Sequence, residues 1–201
     1  MEEPVRQAYG AMAAQYVRLF GTTTEVHPDD LALMTTHLSI RPGTVLDVGC
    51  GPGHLSEHLR SLGVDTSGID LVPEFIDHAI ATYPDGRYQL GSMHQLPFAD
   101  GAFDAILAWY SLIHLLPNDL DAVLTELLRV IAPAGTFVTG FFDGDMVEAF
   151  NHKVVTAYYW PVDEFSARLQ RAGFTETQRL LRPGDPTLGR RSHAAIVAIA
   201  S

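Results

Sequence analysis

The chain has 201 residues, 47% hydrophobic and 18% charged, which is enough apolar material for one core and argues against a disordered coil. Its 24 acidic and 13 basic side chains give a formal net charge of -11, leaving little positive field for a nucleic-acid backbone or an anionic membrane, so neither is an expected partner. A lone cysteine, Cys50, excludes an intrachain disulfide and a multi-cysteine metal site and points to a reducing, cytoplasmic address. The acidic opening lacks the order of a secretory signal, and the longest largely apolar stretch, Ala105 to Leu116, contains Ser111 and His114, so no membrane span is expected.

In chain order, Val5, Met12, Tyr16 and Leu19 predict a helix over Pro4 to Phe20, ended near Gly21, and a second helix follows Pro28. Thr44 to Val48 reads as a strand stopped by the glycine turn Gly49-Cys50-Gly51-Pro52-Gly53, and His54 to Leu62 returns to helical spacing. Asp65 to Leu71 predicts a strand. Pro73 to Thr82 predicts a helix, with Pro73 suited to a first turn because it needs no amide partner.

Arg87 to Leu90 is a weak strand, Pro97 to Gly101 a loop and Phe103 to Tyr110 a buried strand whose continuous apolar run suits the centre of a parallel sheet. Asn118 is the expected cap of a helix carrying Leu120, Val123, Leu124, Leu127, Leu128 and Ile131, broken by Pro133-Ala134-Gly135. A strand over Thr136 to Phe141, an irregular loop from Asp143 to Asn151, a strand ending near Tyr159 and a helix from Asp163 to Ala172 come next. Phe174 to Leu181 and Ala194 to Ala200 are β-like, and the polar stretch Arg182 to Ser192 between them has no helical pattern, so they are expected to pair as an antiparallel hairpin.

Strands alternating with helices predict an α/β, Rossmann-like open sheet with helices on both faces. A ligand in such a sheet sits beyond the carboxyl ends of the strands, which here means the loops starting at Gly49, Leu71, Gly91, Tyr110 and Phe142. The glycines at 49, 51 and 53 let backbone amides approach a ligand, and Asp70, at the end of the next strand, can accept both hydroxyls of a ribose. A dinucleotide fingerprint counted from Gly49 needs glycine where the chain has His54, and no P-loop lysine follows the turn. A nucleoside without phosphates fits better than a nicotinamide dinucleotide, although an oxidoreductase and a nucleoside-binding regulatory module are competing readings.

VLDVGCGPG at 45–53, GIDLVPEFI at 68–76, LPFADGAFDAIL at 96–107 and YYWPVDEFSARLQRAGF at 158–174 resemble, in order and separation, the class I S-adenosylmethionine-dependent methyltransferases. The resemblance runs from about Tyr9 to Phe174. It implies a seven-stranded sheet, mostly parallel with an antiparallel last strand. It also implies one methyltransferase domain over 1–201: a helical lid over 1–40, a cofactor-binding core over 44–141 and a substrate-side loop with closing strands over 142–201. S-adenosylmethionine is the implied cofactor and S-adenosylhomocysteine its product. Gly49, Cys50, Gly51 and Gly53 would line the methionyl part, Asp47 would orient its amino group directly or through water, Asp70 would hold the ribose and Leu71 would lie against adenine. Where the family often supplies an aspartate to the adenine, this chain has Gly91-Ser92-Met93, so Ser92 or Met93 would take that contact. Ala108, Trp109 and Tyr110 would reach the sulfonium, with Tyr16 closing over it.

The expected reaction is in-line methyl transfer to oxygen or nitrogen of a small organic acceptor. His114 and His152 are the candidate bases, and Phe141, Phe142, Phe150, Tyr158 and Tyr159 are the candidate acceptor walls. Ordinary core packing competes for each of these aromatics, and for the Tyr9, Met12, Tyr16 stripe. His54 to His58 has the H-x-x-E-H order of a zinc peptidase motif, but both histidines open a helix and no third ligand stands apart, so no metal is expected. The sequence sets neither the acceptor nor the subunit number.

Overall fold

The computed structural model describes residues 2–39, 43–185, 187 and 189–201; positions 1, 40, 186 and 188 of the stretches named above lie outside it. Six helices and nine strands are described: α1 Glu2–Phe20, α2 Pro28–Leu38, β1 Thr44–Val48, α3 His54–Ser61, β2 Asp65–Asp70, α4 Pro73–Thr82, β3 Arg87–Leu90, β4 Phe103–Trp109, α5 Pro117–Val130, β5 Ile131–Phe142, β6 Glu148–Phe150, β7 Ala157–Tyr159, α6 Val162–Ala172, β8 Phe174–Arg182 and β9 His193–Ala200. Seven strands form one sheet in the order β3-β2-β1-β4-β5-β9-β8. β1 to β5 are mutually parallel, and β9 runs antiparallel to both β5 and β8. The closing hairpin is therefore antiparallel, as the missing crossover helix requires.

The chain builds outward from β1 to β3, then returns to lay β4 on the other side of β1. This reversal opens a crevice at the carboxyl ends of β1 and β4, where α/β sheets bind ligands. The central strands hold it rigidly: Val45, Leu46, Val48, Ile106, Leu107 and Ala108 are buried. α5 packs Leu120, Val123, Leu124, Leu127 and Val130 against one face, and α2 packs Leu33, Met34 and Leu38 against the other.

Several boundaries differ from the sequence reading. α5 starts at Pro117 with Leu116 before it as the cap residue, so Asn118 already lies inside the first turn; the proline's fixed φ sets the start. Pro133-Ala134-Gly135 does not end that helix but bulges inside β5, where Ala134 takes φ +61° and the register to β4 shifts. The segment Asp143 to Asn151, expected to be irregular, contains β6, which pairs antiparallel with β7 in a separate two-stranded sheet. On α1 the face turned inward carries Tyr9, Ala13, Tyr16 and Val17, packed against Val72 and Phe75, whereas Leu19 is exposed.

Candidate active site

β1 runs straight into the glycine turn. A side chain at Gly49 would meet the Cβ of Ser111 at 2.3 Å, and its φ of +73° is one that L side chains rarely adopt. The amides of Gly49 and Cys50 both donate to the Ile69 carbonyl, at 2.8 and 3.1 Å, which pins the turn to β2. Gly51 differs: φ is +53° and a Cβ there would meet nothing within 4 Å, because the position faces open space.

That space is a cleft of about 890 Å³, its open mouth included. Its walls include Tyr16, Gly49, Gly51, Asp70, Leu71, Met93, Trp109 and Tyr110, all expected at the cofactor, together with His114. Asp70 sits at the end of β2. Its Oδ2 accepts from the Gly51 amide at 2.8 Å and its Oδ1 from the Val72 amide at 2.9 Å. Burial pushes this carboxyl up to about 6 against those backbone donors, so it is ionised at neutral pH. Each oxygen keeps lone-pair capacity for a ribose hydroxyl.

Other expected cofactor residues stand behind the wall. Asp47 is 1% exposed and accepts from Ser56 Oγ at 2.6 Å, tying β1 to α3 rather than facing the cleft; burial raises its carboxyl to about 7. Cys50 is buried against Gly68, its thiol pushed up by burial and by the neighbouring carboxylates of Asp70 and Asp47. Gly53 lies against Ala79 and Tyr88, and Ala108 is wholly inside the sheet. Ser92 is occupied by a hydrogen bond to the Glu2 carboxylate and by the His94 amide, so Met93 alone of that pair borders the cleft.

α1 forms the roof. Tyr9 and Tyr16 stand edge to face at 5.6 Å and both contact Phe75. The Tyr9 hydroxyl lies 2.7 Å from His114 Nε2, while His114 Nδ1 lies 2.9 Å from the Thr156 carbonyl. A carbonyl can only accept, so Nδ1 carries the proton and a neutral His114 offers its Nε2 lone pair to Tyr9. Burial pulls the pKa of His114 down, opposed by the Thr156 bond.

None of the five aromatics expected at the acceptor borders the cleft itself. Phe141 is 1% exposed and stacked on Phe165 at 4.3 Å, on the core side of β5, and Tyr158 packs on the main core. Phe142, Phe150 and Tyr159 form a cluster adjoining the cleft: Phe142 contacts Tyr110 at 4.8 Å, and Phe150 stacks on Tyr159 at 4.2 Å. His152 joins this cluster, 5.4 Å from His114 between ring centres.

Tyr9 and Ser111 belong to the walls but escaped selection as site residues; Tyr9 shares the Tyr16 stripe two turns away, which is a usable signal. A polar chain behind Tyr110 had no sequence signal. The Tyr110 hydroxyl meets His193 Nδ1 at 2.5 Å, His193 Nε2 lies 3.3 Å from Asp30, and Asp30 takes two hydrogen bonds from Arg182. Tyr110 itself has φ +54°, the kind of costly backbone that clusters at functional sites. In the H-x-x-E-H segment, His54 Nδ1 is buried without a partner among the described residues and His58 Nε2 meets Thr35 at 3.2 Å. Among the described residues no group of three His, Cys, Asp or Glu is placed to hold a metal.

The turn after β1, the carboxylate after β2 and the crevice at the reversal define a nucleoside-binding α/β protein. The residues suit an adenosine-bearing sulfonium: Gly51 leaves room, Asp70 supplies the acceptor, and Ser111 Oγ is buried in the wall with no partner among the described residues. Comparison with known proteins agrees. A family model described as a methyltransferase domain matches residues 45–135. The malonyl-(acyl-carrier protein) O-methyltransferase of Erwinia billingiae is 31% identical over 197 residues, covering 92% of this chain and 74% of that one. Two further relatives of that name match over 37% and 56% of their own length. Among solved structures, the 1,6-didemethyltoxoflavin-N1-methyltransferase of Burkholderia thailandensis, with bound S-adenosylhomocysteine, superposes with a TM-score of 0.82 at 22% identity, over 99% of this chain and 88% of that one. The (4+2)-cyclase SpnF also reaches 0.82, at 17% identity over 100% and 97%, so the fold alone does not fix the chemistry. The chain belongs to the class I S-adenosylmethionine-dependent methyltransferases, with S-adenosylmethionine as cofactor. Membership overturns the nicotinamide-oxidoreductase alternative, and the regulatory-module alternative gives way to an enzyme.

Proposed function

We propose that the protein transfers a methyl group in line to oxygen or nitrogen of a small organic acceptor, with His114 as the base when that atom arrives protonated. When bound, S-adenosylmethionine supplies a methyl group already activated on sulfur. Asp70 and the Gly49 to Gly51 turn then hold the nucleoside, while the Tyr9 and Tyr16 roof excludes water. Alignment is the main contribution, since oriented reactants can gain effective molarities of about 10⁵–10⁸ M.

The observation that carries the reading is the setting of His114. It borders the same cleft as Asp70, its Nδ1 proton is fixed on the Thr156 carbonyl, and its Nε2 lone pair accepts from the hydroxyl of Tyr9, which borders the cleft too. Burial keeps it neutral near neutral pH, so Nε2 can take the Tyr9 hydroxyl proton while that oxygen takes one from the acceptor's hydroxyl or amine as the new bond forms. The name of the Erwinia relative favours oxygen as the methylated atom. No helix among the described residues is long and apolar enough to cross a membrane; with a single buried cysteine, a cytoplasmic site of action and a small-molecule acceptor are the proposed setting. Residues 1–40 are read as the lid and 142–201 as the acceptor side of one domain.

Two measurements test this. S-adenosylhomocysteine is expected to raise the melting temperature and NADH to leave it unchanged. In an acceptor screen with labelled donor, His114→Gln is expected to lower kcat by about 10²–10⁴ while S-adenosylhomocysteine affinity stays at the wild-type value. An unchanged kcat on a hydroxyl or amine acceptor rules out the base.

A further inference from the structure

Seven arginines of the described residues face carboxylates in ion pairs, and Arg191 is not one of them. Its guanidinium carbon lies 4.6 Å from the centre of the Phe150 ring and 5.7 Å from that of Phe142. Nε donates to the Tyr159 hydroxyl at 3.0 Å and Nη2 reaches the Asn151 carbonyl at 3.5 Å, which leaves Nη1 without a partner among the described residues. The group is thus oriented by aromatic rings and neutral oxygens, with its charge uncompensated, in a chain of net charge -11.

Two more groups converge there. Lys153, the chain's only lysine, follows His152, whose Nδ1 is buried with no partner among the described residues. Burial first, then the charges of His114, Arg191 and Lys153, lowers His152 to about 4. The ring is neutral at neutral pH, so the positive charge of the corner is that of Arg191 and Lys153. This corner adjoins the cleft: His152 packs against His114, and Phe142 against Tyr110. A planar guanidinium held over aromatic faces matches the geometry of a carboxylate or phosphate, and a stacked arginine is already partly stripped of water.

We propose that Arg191, with His152 and Lys153, forms a subsite beside the cleft that anchors an anionic group of the methyl acceptor, a carboxylate or a phosphate, through the unpartnered edge of the guanidinium. The proposal rests on the reading of the cleft as one that methylates an acceptor. It restricts the substrate class: a small molecule with one anionic end, long enough to reach from Arg191 past Tyr110 and His114 to the methyl donor.

The test uses the full chain saturated with S-adenosylhomocysteine and titrated with benzoate, phenyl phosphate or neutral benzamide, binding being followed by saturation-transfer NMR. At least one anion is expected to bind about tenfold or more tightly than benzamide, as a hydrogen bond to a charged group implies, and the tighter of the two identifies the anion. Arg191→Met, whose stem still covers Phe150, abolishes the preference; Arg191→Lys restores part of it; both keep the wild-type melting temperature and S-adenosylhomocysteine affinity. Equal binding of benzamide and the anions, or a preference that survives in Arg191→Met, overturns the subsite. The same titration on donor-free protein separates the two readings: failure of S-adenosylhomocysteine to bind strikes the cleft, whereas failure of the anions strikes Arg191.

Discussion

The carboxylate of Asp70 accepts a hydrogen bond from the amide of Gly51 at 2.8 Å, so the turn after β1 and the end of β2 form one unit. Asp70 shapes the turn and, on the proposed reading of the cleft, also faces the ribose of the cofactor. Replacing it therefore removes two things at once. Asp70→Ala is expected to weaken S-adenosylhomocysteine binding by roughly 10–150-fold, the equivalent of losing hydrogen bonds to a charged group worth about 1.5–3 kcal/mol. Asp70→Asn keeps an oxygen for only one of the two backbone donors and is expected to fall between. Calorimetric titration decides, and wild-type affinity in Asp70→Ala refutes the ribose role.

Burial raises Asp70 to about 6 and Asp47 to about 7 from 3.8, and the sign of the resulting pH dependence follows. The folded state holds these protons more tightly than the unfolded chain, so the two groups cost stability progressively as pH rises from about 4 to about 7, and the full cost is present above that. Asp47→Asn, which keeps an oxygen for Ser56, is expected to stabilise the protein at pH 8 by on the order of 1 kcal/mol per unit of displacement and to have little effect at pH 4. Urea unfolding at the two pH values checks this. Binding runs the other way: ribose hydroxyls need the Asp70 carboxylate, so affinity for S-adenosylhomocysteine is expected to be flat above pH 7 and to fall below pH 6, by up to about tenfold per pH unit.

The parts of this site that are legible in the sequence are those whose chemistry depends on short spacing. A strand, a glycine turn and a carboxylate one strand later specify Gly49, Gly51 and Asp70 without knowledge of tertiary packing, and Pro73 marks the start of α4 because it needs no amide partner. Side-chain direction within a strand apolar on both faces is not legible. Neighbouring residues of β5 alternate sides, and nothing local says that Phe142 turns toward Tyr110 and Phe150 while Phe141 turns to Phe165. Asp47 fails for the same reason, since a buried aspartate at a strand end can face the cleft or the helix behind it. The strand ending at Tyr159 is legible, but its partner β6 is three residues long, too short for periodicity, and the stacking of Phe150 on Tyr159 that accompanies the pairing has no local signal.

The roof depends on a tyrosine meeting a histidine 105 residues away. Tyr9→Phe keeps the ring contacts with Tyr16 and Phe75 but leaves His114 Nε2 without its donor. The expected cost is about 1 kcal/mol of stability for the lost hydrogen bond, read as a lower urea midpoint at unchanged slope. A larger loss accompanied by a changed slope would mean that α1 has come off the sheet instead.

Asp30 and Arg182 meet across 152 residues, with two hydrogen bonds at 3.0 and 2.7 Å, and through His193 they back the Tyr110 hydroxyl in the cleft wall. Burial alone would raise Asp30, but the bonds from His193 and Arg182 outweigh it and hold its carboxyl below the ordinary value. A depressed carboxyl contributes stability above its unfolded pKa and loses it as pH falls through the folded one, so this contribution is lost only as pH falls below the ordinary carboxylate range. Breaking the pair strands a charge: Arg182→Met leaves Asp30, 3% exposed, facing His193 alone. The expected loss is about 3 kcal/mol, at the low end for a buried pair because the Arg182 side chain is 29% exposed. The double variant Asp30→Leu with Arg182→Met removes both charges and is expected to recover most of that loss, giving a coupling of about 2 kcal/mol in a double-mutant cycle. Losses that simply add would show that the two side chains act independently, and that the closing hairpin is held to α2 by packing without the ion pair.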